Sequence, residues 1–171
     1  MQKYYLVLNK LFFYPEKLIE ESKKLEWSPF EKATGKTGNF FDHVPDWLTS
    51  KIDNIIEFPE VERIHRILEY VTESKDIRPR FYRQKKNFEI PPHKDLNTTC
   101  AVNFLVSQEP GPITFTDIGD VYYKVALLNL QQEHSVKKSE GERILLPKSL
   151  GGTYSKWGDV TYIGLRTTRV R

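Results

Sequence analysis

From residue 76 onward breaks recur at short intervals: Pro91-Pro92, Pro110-Gly111-Pro112, Gly119-Asp120, Gly141 and Gly151-Gly152. Between them lie runs of branched and aromatic residues, Arg78–Arg83, Thr99–Val106, Ile113–Phe115, Tyr123–Leu130, Arg143–Leu146 and Val160–Thr167. Runs of this length and composition read as short β-strands, the breaks as turns. Before residue 76 the pattern is helical. Leu18, Ser22 and Leu25 recur after Pro15, Leu48, Ile52 and Ile55 after Pro45, and Val61, Ile64, Leu68 and Val71 after Pro59. Proline suits a helix's first turn, so three amphipathic helices are expected near 15–26, 45–57 and 59–73. Tyr4–Leu8 reads as an opening strand and 27–44, with Pro29, Gly35 and Gly38, as a crossing loop.

Short strands behind a helical first half predict an α+β fold, a jelly-roll sandwich or barrel with the N-terminal helices packed on one outer face. Composition supplies the core for it. Of 171 residues, 39% are hydrophobic and 13% aromatic, which excludes a disordered or collagenous chain. No apolar run approaches the roughly 18 residues of a membrane span. No repeat or linker divides the chain, so one domain, 1–171, is expected, with 1–75 as strand and supporting helices and 76–171 as the jelly-roll core. Cys100 is the single cysteine, so neither an internal disulfide nor a zinc cluster is available and a cytoplasmic setting is expected. The first residues lack a cleavage site, and no secretion signal is read there.

Charge is nearly balanced, 26 Lys+Arg against 23 Asp+Glu, but six basic residues fall between Lys75 and Lys86, and Arg166, Arg169 and Arg171 stand at the end. Solvated strand edges explain such a distribution; an anionic partner is the sharper alternative.

The chemistry concentrates on two of the four histidines. His93-Lys94-Asp95 has the form H-x-D, and in an extended segment residues two apart point the same way, so imidazole and carboxylate converge. His134, 39 residues after Asp95, returns from another strand as a third ligand. Two imidazoles and one carboxylate on one side of a metal leave its other side open, the arrangement suited to non-haem Fe(II) activating O2 with a bidentate co-substrate. Arg143, nine residues past His134, opens a strand, where its guanidinium can grip a carboxylate through two parallel hydrogen bonds. The H-x-D pattern alone is weak; joined to His134 and Arg143 it is more specific.

With these residues the chain resembles the 2-oxoglutarate- and Fe(II)-dependent dioxygenases, in particular the compact prolyl-4-hydroxylase-like branch common in bacteria and phages. Tyr5-Leu-Val-Leu-Asn-Lys-Leu-Phe followed by Pro15-Glu looks like that branch's first strand and helix, and Cys100-Ala-Val-Asn-Phe-Leu and Leu128-Asn-Leu-Gln-Gln-Glu-His-Ser-Val like its core strands. The resemblance implies a double-stranded β-helix, with His93, Asp95 and His134 holding Fe(II) and Arg143 binding the distal carboxylate of 2-oxoglutarate. It implies oxidative decarboxylation of the keto acid to succinate and CO2 with hydroxylation of a C–H bond. The substrate would be a protein residue, prolyl or similar, or a small amino-acid-like molecule. Tyr82 and Asn103 are candidate contacts of the co-substrate and Arg80 of the substrate.

Three alternatives stand beside this reading. A nucleic-acid demethylase is disfavoured, because that branch usually carries a second Arg where this chain has Ser149. A non-catalytic jelly-roll binding module would predict a broken ligand set. A cupin-type isomerase would want further His and Glu ligands. His43 and His65 read as a loop and a structural histidine, Cys100 as a small core residue, and Trp27, Trp47 and Trp157 as packing residues, with an aromatic wall for the substrate as the alternative.

Overall fold

A computed structural model describes residues 4–30, 44–95, 98–107 and 111–150. In chain order the elements are β1 (Tyr5–Val7), α1 (Pro15–Ser22), β2 (Ser28–Phe30), β3 (Val44–Lys51), a 3-10 turn (Ile55–Glu57) and α2 (Pro59–Thr72). There follow β4 (Ile77–Gln84), β5 (Ile90–His93), β6 (Cys100–Leu105), β7 (Ile113–Phe115), β8 (Gly119–Val121), β9 (Val125–Asn129), β10 (His134–Val136) and β11 (Arg143–Leu150). Seven strands form one sheet in the order β1-β9-β6-β11-β4-β3-β2, and four form another in the order β5-β10-β7-β8. Every pairing is antiparallel.

Strand parity gives the larger sheet two different faces. From one, Phe81, Val102, Phe104, Leu127 and Leu146 pack against Leu18 of α1 and Val61, Ile64, Leu68 and Val71 of α2. Leu18, Val61 and Leu68 are wholly buried, each burial contributing roughly 1.5–3 kcal/mol of transfer free energy. From the other face, Ala101, Leu105, Ala126, Leu128 and Leu145 meet Ile113, Phe115 and Val121 of the smaller sheet. The expected helices on one outer face are therefore present as α1 and α2, and the cavity described below opens on the opposite face. No described helix is long and apolar enough to cross a membrane.

The structure corrects four local expectations. The helix expected over 45–57 is instead strand β3 and the 3-10 turn. Val44, Trp47 and Thr49 favour the pleated form, and hydrogen bonding to β4 on one side and β2 on the other outweighs the helical spacing. Pro45 sits beside the register shift between Pro29 and Phe30, where a missing amide is tolerated. The loop expected over 27–44 contains β2 and the first residue of β3. Pro91-Pro92 lies within β5 and Gly119-Asp120 within β8, and both are edge strands of the smaller sheet. Gly119 has a φ of 81°, a conformation glycine adopts without a steric penalty. The first helix ends at Ser22, short of residue 26. His43, Trp157, the strand expected over Val160–Thr167 and the terminal arginines lie outside the described residues.

Candidate metal centre and its cavity

The site begins with a register. His134 of β10 stands directly across from His93 of β5, and their rings lie 4.4 Å apart between centroids. A one-residue slip would send the imidazoles to opposite faces. Each is further fixed through its Nδ1, 2.9 Å from the Pro91 carbonyl in His93 and 2.9 Å from the Gln132 carbonyl in His134. A carbonyl can only accept, so each Nδ1 carries a proton, and in the neutral imidazole each Nε2 presents a lone pair. These lone pairs converge on one carboxylate oxygen: Asp95 Oδ1 is 3.5 Å from His93 Nε2 and 3.8 Å from His134 Nε2. The ligand atoms of the three residues lie within 4.8 Å of one another.

Asp95 is held through its backbone. Its amide donates to the Leu130 carbonyl, and its carbonyl accepts from Gln131 Nε2 at 2.8 Å. The same Gln131 nitrogen donates to the Thr98 carbonyl, so one carboxamide ties Asp95 to Thr98. Burial pulls the His93 imidazole down, but the hydrogen bond to Asp95, the Pro91 carbonyl and the Asp95 charge outweigh it and leave its pKa above the ordinary value. In His134, burial and the neighbouring His93 prevail, and its pKa falls. A neutral imidazole is the ligating form.

A cavity of about 220 Å³ adjoins the three side chains and is also lined by Tyr82, Asn103 and Arg143. The structure thus brings His93, Asp95, His134, Arg143, Tyr82 and Asn103 to one hollow, while Arg80, the candidate substrate contact, lines a neighbouring one. Arg143, expected at a strand start, is 1% exposed. Its Nη1 donates to the Pro112 carbonyl at 3.2 Å, while its Nε is buried without a hydrogen-bond partner. Asn103, on the interior strand β6, likewise has its Oδ1 buried and unsatisfied. Tyr82 stacks on Trp47 at 5.4 Å; burial raises its pKa, and the Arg80 guanidinium opposes this by charge and hydrogen bond.

The orphaned Arg143 nitrogen tests the site's fit to an organic anion. A guanidinium buried with no carboxylate beside it among the described residues, facing a hollow that also holds an acceptor and donor hydroxyl, wants a charged ligand. The solved structures agree with this geometry at the level of the fold. The chain aligns with a 2OG-Fe(II) oxygenase family protein from Burkholderia pseudomallei at a TM-score of 0.54 and 16% identity, covering 78% of this chain and 76% of that one. It aligns with HygX from Streptomyces hygroscopicus, solved with nickel, 2-oxoglutarate and hygromycin B bound, at a TM-score of 0.56 and 14% identity, covering 88% of this chain and 82% of that one. The fold is one shared with 2-oxoglutarate-Fe(II) oxygenases. No protein-family profile and no curated protein matches the chain.

Trp47 stands on the cavity wall, as the aromatic-wall alternative allowed, because residues 44–51 are a strand and not the expected helix. One contributor was not legible beforehand. Gln131 acts through an exposed side chain across a turn, and no spacing rule points to it. Trp27 packs edge-on to Phe81, as a packing residue should. His65 lies half-buried on α2, 3.5 Å from Glu69. Burial pushes the Cys100 thiol up to about 12, which suits an inert core residue.

Proposed function

We propose that the protein is a 2-oxoglutarate- and Fe(II)-dependent oxygenase that hydroxylates a C–H bond of a protein residue or a small amino-acid-like molecule, releasing succinate and CO2. The observation that carries this reading is the buried Arg143, with no carboxylate beside it among the described residues, in the same cavity as the His93, Asp95 and His134 cluster. The two sheets then correspond to a double-stranded β-helix. The fold shared with HygX, which binds nickel and 2-oxoglutarate, supports the same assignment.

His93, Asp95 and His134 would hold the ion, a donor set of two nitrogens and one oxygen that suits non-haem iron. When bound, Fe(II) and 2-oxoglutarate supply the activation of O2. Arg143 binds the distal carboxylate of the keto acid through paired charge-assisted hydrogen bonds, and its lost hydration is replaced by that anion. Tyr82 and Asn103 orient the same ligand from neighbouring strands. Ile90, Ile113, Leu130 and Val136 line the hollow and exclude water around the ion.

The test is succinate formation from 2-oxoglutarate by protein loaded anaerobically with Fe(II) and then exposed to O2, beside the His134→Ala variant. Succinate from the wild type, lost in the variant, is the expected result. Absence of both succinate and any binding of metal with 2-oxoglutarate would leave a barrel that binds something else.

A further inference from the structure

Beyond Tyr82 the concave face of the larger sheet continues into a second hollow of about 660 Å³, lined by Lys51, Asp53, Asp76, Arg78, Arg80 and Ser149 among others. Tyr82, Thr98, Pro147 and Ser149 line both hollows, so the second opens directly beside the first. Register makes its charge unusual. Lys51 of β3 stands directly opposite Arg80 of β4, and like charges at that position repel. Arg78 is neutralised by Asp76 at 2.9 Å. Among the described residues neither Lys51 nor Arg80 has a carboxylate within ion-pair distance; Arg80 has the neutral Tyr82 hydroxyl as its partner.

We propose that this hollow is where the second substrate is recognised, and that the substrate is a zwitterion of the amino-acid class whose carboxylate bridges Arg80 and Lys51 and whose cationic group faces Asp53. This rests on the oxygenase reading above and narrows its substrate. An anion between Lys51 and Arg80 turns a repulsive cross-strand pair into two attractive ones, and the guanidinium fork matches a carboxylate. Asp53 in the same groove would repel a phosphodiester chain, whereas a zwitterion finds a partner for each sign. The carboxylate can belong to a free amino acid or to an acidic residue of a peptide, and the two are separable by experiment.

Ligand-detected NMR on the full-length protein with Zn(II) and 2-oxoglutarate provides a readout independent of turnover. Three probes are used: mixtures of the proteinogenic amino acids with their methyl esters, a tetrapeptide of Asp, Lys and Ala with blocked ends, and a short oligothymidylate. Binding of at least one amino acid, lost in its methyl ester and weakened at least about tenfold by Lys51→Glu or Arg80→Gln, is the expected result. Binding of the blocked peptide with the same sensitivity keeps the carboxylate and assigns it to a polypeptide. No binding of either, binding indifferent to Lys51→Glu, or preference for the oligothymidylate overturns the proposal. If the wild type fails to bind Zn(II) with 2-oxoglutarate at the outset, the oxygenase reading itself falls; if it binds both and the groove probes fail, only the groove assignment does. Folding of each variant is checked by its retained metal binding.

Discussion

At the scale of single residues, the site depends on side chains whose partners are few and fixed. Arg143→Ala removes a buried cation with no competing carboxylate, and the expected outcome is a rise of about 10²–10³-fold in the dissociation constant for 2-oxoglutarate with metal binding retained, measured by titration of the Mn(II)-loaded protein. An unchanged constant would place the anion elsewhere. Gln131→Ala releases the Asp95 carbonyl and is expected to weaken Mn(II) binding about tenfold or more, read by the free-ion EPR signal. The residue types and spacing of His93, Asp95, His134 and Arg143 were legible because each bears a chemistry that sequence states outright. The burial of Arg143 was not, because it depends on neighbours remote in the chain, such as the Pro112 carbonyl 31 residues away. Gln131 could not be read at all, since its role lies in backbone oxygens 33 and 36 residues away in the chain.

At the scale of elements, α2 starts without a cap of its own: its flanking residue is Phe58, which offers no side-chain acceptor. The Glu21 carboxylate of α1 takes that place, accepting from the Glu60 amide at 2.7 Å and the Val61 amide at 3.1 Å. Both amides belong to the helix's first turn, where a negative charge is also favoured. Glu21→Ala is therefore expected to cost about 1–2 kcal/mol in urea-induced unfolding, and a loss no larger than that of Glu20→Ala would refute the cap. The helix itself was readable from Pro59 and the spacing of Val61, Ile64 and Leu68. Its cap was not, being 39 residues distant in sequence. Residues 45–57 failed in the opposite way: their apolar spacing fits a helix, but two neighbouring strands supplied ladder partners that local periodicity cannot report.

At the scale of the whole molecule, stability carries one buried charge that the proposed reaction does not use. Lys148 of β11 points to the helical side, wholly buried, with Nζ 3.5 Å from the Val61 carbonyl. Burial pushes its ammonium down to about 7, against the attraction of Glu21 and Glu69. An unfolded lysine titrates near about 10.4, so between these values the unfolded chain holds a proton that the folded chain lacks. Stability conferred through this group accordingly rises as pH climbs from about 7 toward 10, and the burial penalty is full below 7. Urea unfolding at a series of pH values should show the wild type losing about 1 kcal/mol per pH unit relative to Lys148→Met as pH falls from 10 to 7; parallel curves would refute the assignment. The two-layered β architecture with helices outside was legible from strand length and turn spacing, whereas the strand order was not, because pairing such as β11 between β4 and β6 joins segments far apart in the chain.

The edge position of β5 bears on how such a site survives in a crowded solution. Amides along a strand point alternately inward and outward, so of two consecutive prolines, Pro91 and Pro92, one necessarily deletes a donor on the outer side. The rim that carries His93 consequently offers a neighbouring molecule an interrupted template for strand addition, and the proline pair acts as a guard against edge-to-edge fibre growth beside the proposed metal ligands.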